Sequence, residues 1–255
     1  MILWAFNALV ALYLLAPVLV VIATAFTTTG YPVFPPRGFT FRWFESVLAS
    51  REFLEAMRLS AILAGASTAI AAVLGTLAAL GLARGKFRGQ PAVAAFFLSP
   101  IFFPAIVLGL ALLIFYNRIG LAGTLGGMIA AHAVLTTPFV IRMVMASLAE
   151  FDPAVEEAAE NLGAGRLRTF FQVTLPLIRP GVVAGAVFAF ILSFDELVVS
   201  LFLAGPGMQT LPIRIFTSLE YSSRPDVSAI STMLILVWLL VGVPLYRRYL
   251  DIRHA

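Results

Sequence analysis

The chain has 255 residues, is 61% hydrophobic and only 12% charged, and carries a formal net charge of +4. A soluble domain of this length has too little interior to hide that much apolar surface from water, so most of the chain must take the bilayer as its solvent. The basic excess is spread over loops and reads as membrane topology rather than nucleic-acid binding, and the lack of cysteine excludes a disulfide framework, a thiol nucleophile and a cysteine-based metal site.

Each crossing takes roughly 20 apolar residues, which leaves room for about six. Continuous apolar runs at 2–26, 53–83, 91–116, 125–147, 181–204 and 227–246 supply them. Backbone groups in hydrocarbon must pair within their own segment and the runs do not alternate, so helices follow and a β-barrel does not. The expected fold is an all-α membrane protein of six transmembrane helices, one domain over 1–255. The first run ends near Ala23-Thr24-Ala25, which resembles a leader cleavage site. No Lys or Arg precedes it and the run outlasts a leader core, so it is read as a retained helix.

Between the first two runs, "PPRGFTFRWFESVLASREFLEAMRLS" mixes Phe39, Phe41, Trp43 and Phe44 with paired charges. That pattern suits an anchor lying on the membrane. In the second run, Gly65, Gly75 and Gly81 with Ala64, Ala72 and Ala79 give small faces for close packing. His132 in the fourth run has no His, Asp or Glu close in sequence. It is read as a hydrogen-bonded packing histidine and not as a proton relay or metal ligand. Arg142, at the inner end of that run, reads as a snorkelling topology charge.

Arginine placement orients the crossings. Arg84, Lys86, Arg88, Arg142, Arg166, Arg168, Arg179, Arg247, Arg248 and Arg253 fall on one side. The other side carries Arg37, Arg42, Arg51, Arg58, Arg118, Arg214 and Arg224, interleaved with acids. Both termini and the loop at about 148–180 are therefore expected in the cytoplasm.

That loop is the polar island of the chain. Asp152-Pro153 is a good helix start, and Glu156 and Glu157 sit near the positive end of the helix dipole. Val155, Ala158, Ala159 and Leu162 fall on one face, and Gly163 stands where a helix wants a left-handed stop. A second helix is expected from about Arg166, with Leu167, Phe170, Phe171 and Thr174 on one face and Pro176 and Pro180 ending it. A connector resting on lipid would explain the apolar faces. It explains less well the acids Asp152, Glu156, Glu157 and Glu160, which suit a groove on a soluble protein better than an anionic membrane.

Glu157-Ala158-Ala159, three residues, Gly163, nine residues, then Val173-Thr174-Leu175-Pro176 resembles the cytoplasmic loop signature of ABC importer permeases, with Val173 in place of the usual Ile. "YNRIGLAGTLGG", "TTPFVIR", "ENLGAGRLRTFFQVTLPLIRPGVVAGAVFAFILSFDEL" and "GPGMQTLPIRIF" extend the likeness over nearly the whole chain. Together they are similar to the second permease of spermidine/putrescine-type systems. The resemblance implies a coupling helix carried by Glu156, Glu157, Ala158, Ala159, Leu162, Gly163 and Pro176. It implies two copies of a cytoplasmic ABC ATPase that bind the ATP and Mg, so that this chain needs no cofactor of its own. It also implies a second and different permease chain, a periplasmic or lipid-anchored substrate-binding protein, and a bacterial inner-membrane location. Lys86, the single lysine, lies in "LARGKFRG", which lacks the spacing and Ser/Thr of a phosphate-cradling loop. The expected function is transport of a polyamine or another small polar organic solute, without catalysis by this chain.

In the fifth run, Asp195 and Glu196 are carboxylates at membrane depth, with Ser193 beside them. One reading puts them on the substrate pathway. The other gives them local partners such as Arg214, and adjacent helical positions point about 100° apart, so one of each is also open. After the fifth run the chain breaks at Gly205-Pro206-Gly207, with a short helix expected at 213–219 and Asp226 at the positive end of the last helix. No internal repeat is evident, against the inverted-repeat plan of many secondary transporters. The competing class is a proton-coupled secondary transporter using Asp195, Glu196 and His132. No metal site and no catalytic set is expected.

Overall fold

The computed structural model describes residues 2–150, 152–222 and 224–254, and the regular structure among them is helical. In chain order the α-helices are α1 (Ile2–Thr24), α2 (Arg42–Ala49), α3 (Arg51–Arg84), α4 (Gln90–Leu98), α5 (Ala105–Ile119) and α6 (Leu125–Ala149). They continue with α7 (Ala154–Asn161), α8 (Arg166–Thr169), α9 (Leu175–Asp195), α10 (Val198–Leu203), α11 (Leu211–Tyr221) and α12 (Asp226–His254). A 3-10 turn (Ser99–Phe102) follows α4, and a π turn (Phe170–Thr174) joins α8 to α9.

Among the described residues, four stretches are long and apolar enough to cross a membrane: Phe6–Thr24, Arg51–Arg84, Leu125–Ala149 and Arg166–Asp195. The third expected crossing is not straight. Gln90–Phe102 and Ala105–Ile119 meet at a bend of 106°. Pro100 and Pro104 explain the bend, since each lacks a backbone donor and crowds the preceding turn. The sixth expected crossing, 227–246, falls within α12. Side chains of Arg247, Arg248 and Arg253, read from sequence as topology charges, lie outside the described residues.

The fifth expected crossing also differs. Its helix starts upstream of 181, ends at Asp195, and gives way at Glu196 to extended backbone before the short α10. Asp195 and Glu196 therefore close the span instead of lying within it. Pro176 and Pro180 do not end a helix either: both lie inside the first turns of α9. The π turn makes room for them. Leu175 N–H reaches back to the Phe170 carbonyl, and this wider turn eases the crowding that Pro176 would impose on a tight one.

The chain divides into two compact units, residues 1–57 with 213–255, and residues 58–212. In the first, Phe26, Phe39, Phe41 and Phe44 form an aromatic cluster. Trp43 donates its indole N–H to the Thr27 carbonyl at 2.8 Å. The guanidinium groups of Arg42 and Arg224 lie 4.4 and 5.6 Å from the Trp43 ring. Arg214 is ion-paired to Glu52. Along α1 the described residues before Thr24 are exposed or half-buried, as suits a helix facing lipid.

In the second unit, α6 and α9 pack around one buried side chain. Val140 on α6 is fully buried, with Gly75 of α3 on one side and Gly185 of α9 on the other. A Cβ at Gly75 would come within 2.7 Å of the Val140 side chain, and one at Gly185 within 2.9 Å of its Cα. Of the small residues read on α3, Gly75 is thus a close-packing position, whereas Cβ atoms at Gly65 and Gly81 would meet open space. A second buried cluster gathers Leu63, Tyr116, Met128, Ala131, Val199 and Leu203.

Candidate functional site

The polar island folds as a helix–turn–helix. The Asp152 carboxylate accepts from Ala154 N–H at 2.9 Å, the capping bond expected of it, while α7 itself starts at Ala154, one position later than the Asp152-Pro153 pair suggests. At the other end Gly163 takes a left-handed φ of +89°. Gly163 N–H bonds the Glu160 carbonyl at 2.9 Å and Ala164 N–H bonds that of Ala159 at 3.1 Å. This pair of reversed bonds is the Schellman termination, which an L side chain at Gly163 would strain.

The faces of this segment divide its residues. Leu162 is 90% exposed, Leu167 77% and Phe171 61%, a ridge of apolar side chains on a segment that also presents Glu157 and Glu160 to solvent. Glu156 turns the other way. It is ion-paired to Arg84 at the end of α3 and accepts from the Thr174 hydroxyl at the start of α9. Of the residues singled out in this loop, Glu157, Ala158, Leu162, Gly163 and Pro176 are exposed, Ala159 is half-buried, and Glu156 fastens the segment to two long helices.

The carboxylates at the end of α9 part company. Asp195 is exposed on the isolated chain. Glu196 lines a cavity of about 190 Å³ together with Pro100, Ile101, Leu135, Phe139 and Leu192. Its Oε1 accepts from Val199 N–H at 2.8 Å and so caps α10. Ser193 is 3% exposed and bonds both Ser67 at 2.9 Å and His132 Nδ1 at 2.8 Å. The other ring nitrogen of His132 meets the Ser200 hydroxyl at 3.0 Å. The imidazole therefore bridges α9 and α10 across the break at Glu196. This hydrogen-bonded packing role is the one the sequence suggested for His132; what the sequence did not disclose is that its partners sit on either side of a helix break. A His followed at 61 and 68 residues by serines carries no local signal.

Thr136, buried and lining the cavity, and the half-buried Thr137 serve the backbone. Thr136 and Thr137 donate to the carbonyls of His132 and Ala133, next to Pro138, which supplies no N–H of its own.

The chain is similar to known proteins over most of its length. The family described as "binding-protein-dependent transport system inner membrane component" matches residues 71–253. The putrescine transport system permease protein PotI of Escherichia coli is 34% identical, over 95% of this chain and 92% of its own length. The spermidine/putrescine transport system permease protein PotC of Escherichia coli is 31% identical, over 93% and 90%. Among solved structures, a bacterial ABC transporter involved in the import of the acidic polysaccharide alginate superposes with a TM-score of 0.76. That match covers 97% of this chain and 95% of the other at 18% identity.

Proposed function

We infer function from one premise: this chain belongs to the family of binding-protein-dependent transport system inner membrane components, and it is the permease component of an ABC importer. Membership removes the proton-coupled secondary transporter as an alternative. The protein is a multi-pass membrane protein of an inner-membrane permease family.

Beyond that, we propose a single permease domain of six crossings in the bacterial inner membrane, with both termini cytoplasmic. The bent α4–α5 pair counts as one crossing and α12 as the sixth. The chain works with two copies of a cytoplasmic ABC ATPase, a second permease chain and an external substrate-binding protein. ATP and Mg are held by the ATPases, and this chain performs no catalysis. The α7–α8 segment is the coupling element, with Glu157, Ala158, Ala159, Leu162 and Gly163 toward the ATPase and Glu156 and Pro176 on the side of the membrane helices.

The observation that carries this reading is the apolar ridge of Leu162, Leu167 and Phe171 amid acids. Such a ridge needs a covering protein surface, and its acids are poor company for anionic lipid. The Arg166–Asp195 stretch has 30 residues. That is about 45 Å of helix against a hydrocarbon core of roughly 30 Å, so its first turns stand clear of the bilayer.

The cargo is a polyamine such as putrescine or spermidine, as the names of the two relatives suggest. Asp195, Glu196 and Ser193 lie on or beside its pathway. The test is reconstitution of the chain with its ATPase, second permease and binding protein in liposomes. ATP-dependent, vanadate-sensitive uptake of labelled putrescine is the expected result. Uptake by this chain alone, without ATP, would overturn it.

A further inference from the structure

The apolar run that ends at 83 and the one that begins at 91 leave only residues 84–90 between them. So short a segment spans about 23 Å even when fully extended. With both ends fixed at the bilayer, its middle stays within roughly 12 Å of the hydrocarbon boundary. That is close to the Debye length of about 10 Å at 0.1 M salt, so its charges feel the lipid headgroups.

The loop is built rather than slack. Gly85 N–H bonds the Gly81 carbonyl at 2.9 Å. The Gln90 side-chain amide donates to the Leu82 carbonyl and closes the loop onto the end of α3. The Phe87 ring folds over Gly85, where a Cβ would come within 2.7 Å of it.

This loop presents Arg84, Lys86 and Arg88 around one aromatic ring, and it contains no acid. Arg84 is ion-paired to Glu156. Lys86 and Arg88 are exposed and make no ion pair among the described residues. Phe87 is 45% exposed, and exposed apolar side chains follow it in α4 at Val93 and Phe96. Membrane topology accounts for the sign of these charges but not for a bare phenyl ring set between two of them. An anionic lipid answers both features, its phosphate meeting the cations and its acyl boundary taking the ring.

We propose that the α3–α4 loop docks an anionic phospholipid of the adjoining leaflet, with Lys86 and Arg88 on its phosphate and Phe87 at the acyl boundary. Through the Arg84–Glu156 pair the bound lipid steadies the coupling segment. The inference rests on the coupling reading of α7 and α8 above. Each cation near an anionic surface strengthens attachment about fivefold, so the two together favour anionic over neutral lipid about 25-fold.

Lys86 is the single lysine, so its acetylation by N-hydroxysuccinimide acetate, read by mass spectrometry, reports on the loop without any substitution. The assembled importer is placed in nanodiscs of phosphatidylcholine alone or with about 30% phosphatidylglycerol. Acetylation should be at least fivefold slower with phosphatidylglycerol. Arg88→Gln should bring the two rates within about twofold, and Phe87→Ser should at least halve the protection. Uptake per ATP should be about threefold higher with phosphatidylglycerol. Arg84→Gln should remove that difference while most of the Lys86 protection remains.

Equal rates in the two nanodiscs overturn the proposal: equally slow, and a protein partner such as the ATPase covers the loop; equally fast, and nothing does. Protection that survives both Arg88→Gln and Phe87→Ser is diffuse surface charge and overturns it too. Protection by inorganic phosphate at about 10 mM in the neutral nanodiscs would make the ligand a free anion instead of a lipid. Uptake per ATP that ignores the lipid overturns the link to coupling. If Gly163→Val keeps its ATPase, the coupling reading alone falls, because the Lys86 rates are scored without ATP or transport.

Discussion

The break at Gly163 and the break at Glu196 solve the same problem by opposite means. Each ends a helix and starts another within a few residues. At Gly163 the solution is local: a left-handed residue, two reversed backbone bonds and a capping Asp at the far end of the same short helix. At Glu196 there is neither glycine nor proline, and the backbone simply opens to ψ 112°. What holds it open comes from elsewhere: the Glu196 side chain capping α10, and His132 on α6 reaching Ser193 and Ser200 on either side. A locally encoded turn can move as a rigid piece. A break held by tertiary bonds can instead be made and unmade as its partners shift.

Breaking the local turn should do the most damage. Gly163→Val forces a β-branched residue into left-handed space at roughly 1–2 kcal/mol and tilts α7 away from its course. We expect putrescine uptake to fall at least 100-fold and ATPase co-purification to be lost, with membrane insertion by protease protection unchanged. Next comes His132→Ala, which leaves the buried Ser200 hydroxyl without its partner at about 1–3 kcal/mol. Uptake should drop about tenfold and the apparent Tm of the purified complex by roughly 5 °C, while the ATPase still co-purifies. That combination separates the two breaks.

Glu156→Gln should matter less to stability, because the Arg84 partner is 43% exposed and such pairs contribute about 0–1 kcal/mol. Its signature is uncoupling: ATPase retained on the complex, uptake per ATP lowered about fivefold. Equal losses of hydrolysis and uptake would assign Glu156 to docking instead. The smallest effect is expected from Gly163→Asn, since Asn tolerates left-handed backbone. Uptake within about twofold of wild type would show that the turn needs a conformation rather than a missing side chain.

What could be read in advance follows the same division. Helix–turn–helix geometry was legible because Asp152, Pro153 and Gly163 act on their own backbone. The course of α3 and α6 was legible because long apolar runs have one solution in hydrocarbon. Pro100 and Pro104 carried a signal for the α4–α5 bend, but run length alone masked it. Pro176 and Pro180 misled in the other direction, since the π turn that accommodates them has no residue signature. The end of α9 was illegible: Ser193, Asp195 and Glu196 read as three polar residues in one helix. Only tertiary placement shows that Ser193 braces His132 at a cavity wall, Glu196 lines the same cavity and Asp195 is exposed.

The π turn has a mechanical consequence. Because it carries α8 into α9 without a stop, Arg166 to Asp195 is one continuous rod of 30 residues, about 45 Å long. Glu156 grips this rod near Thr174, and the Glu196 break sits at its far tip. A tilt of about 10° pivoting at the gripped end sweeps the tip through several ångströms, more than the reach of any hydrogen bond to His132. Small angular play at one end thus suffices to rewrite the bonding at the other, with no side chain between them needing to relay anything.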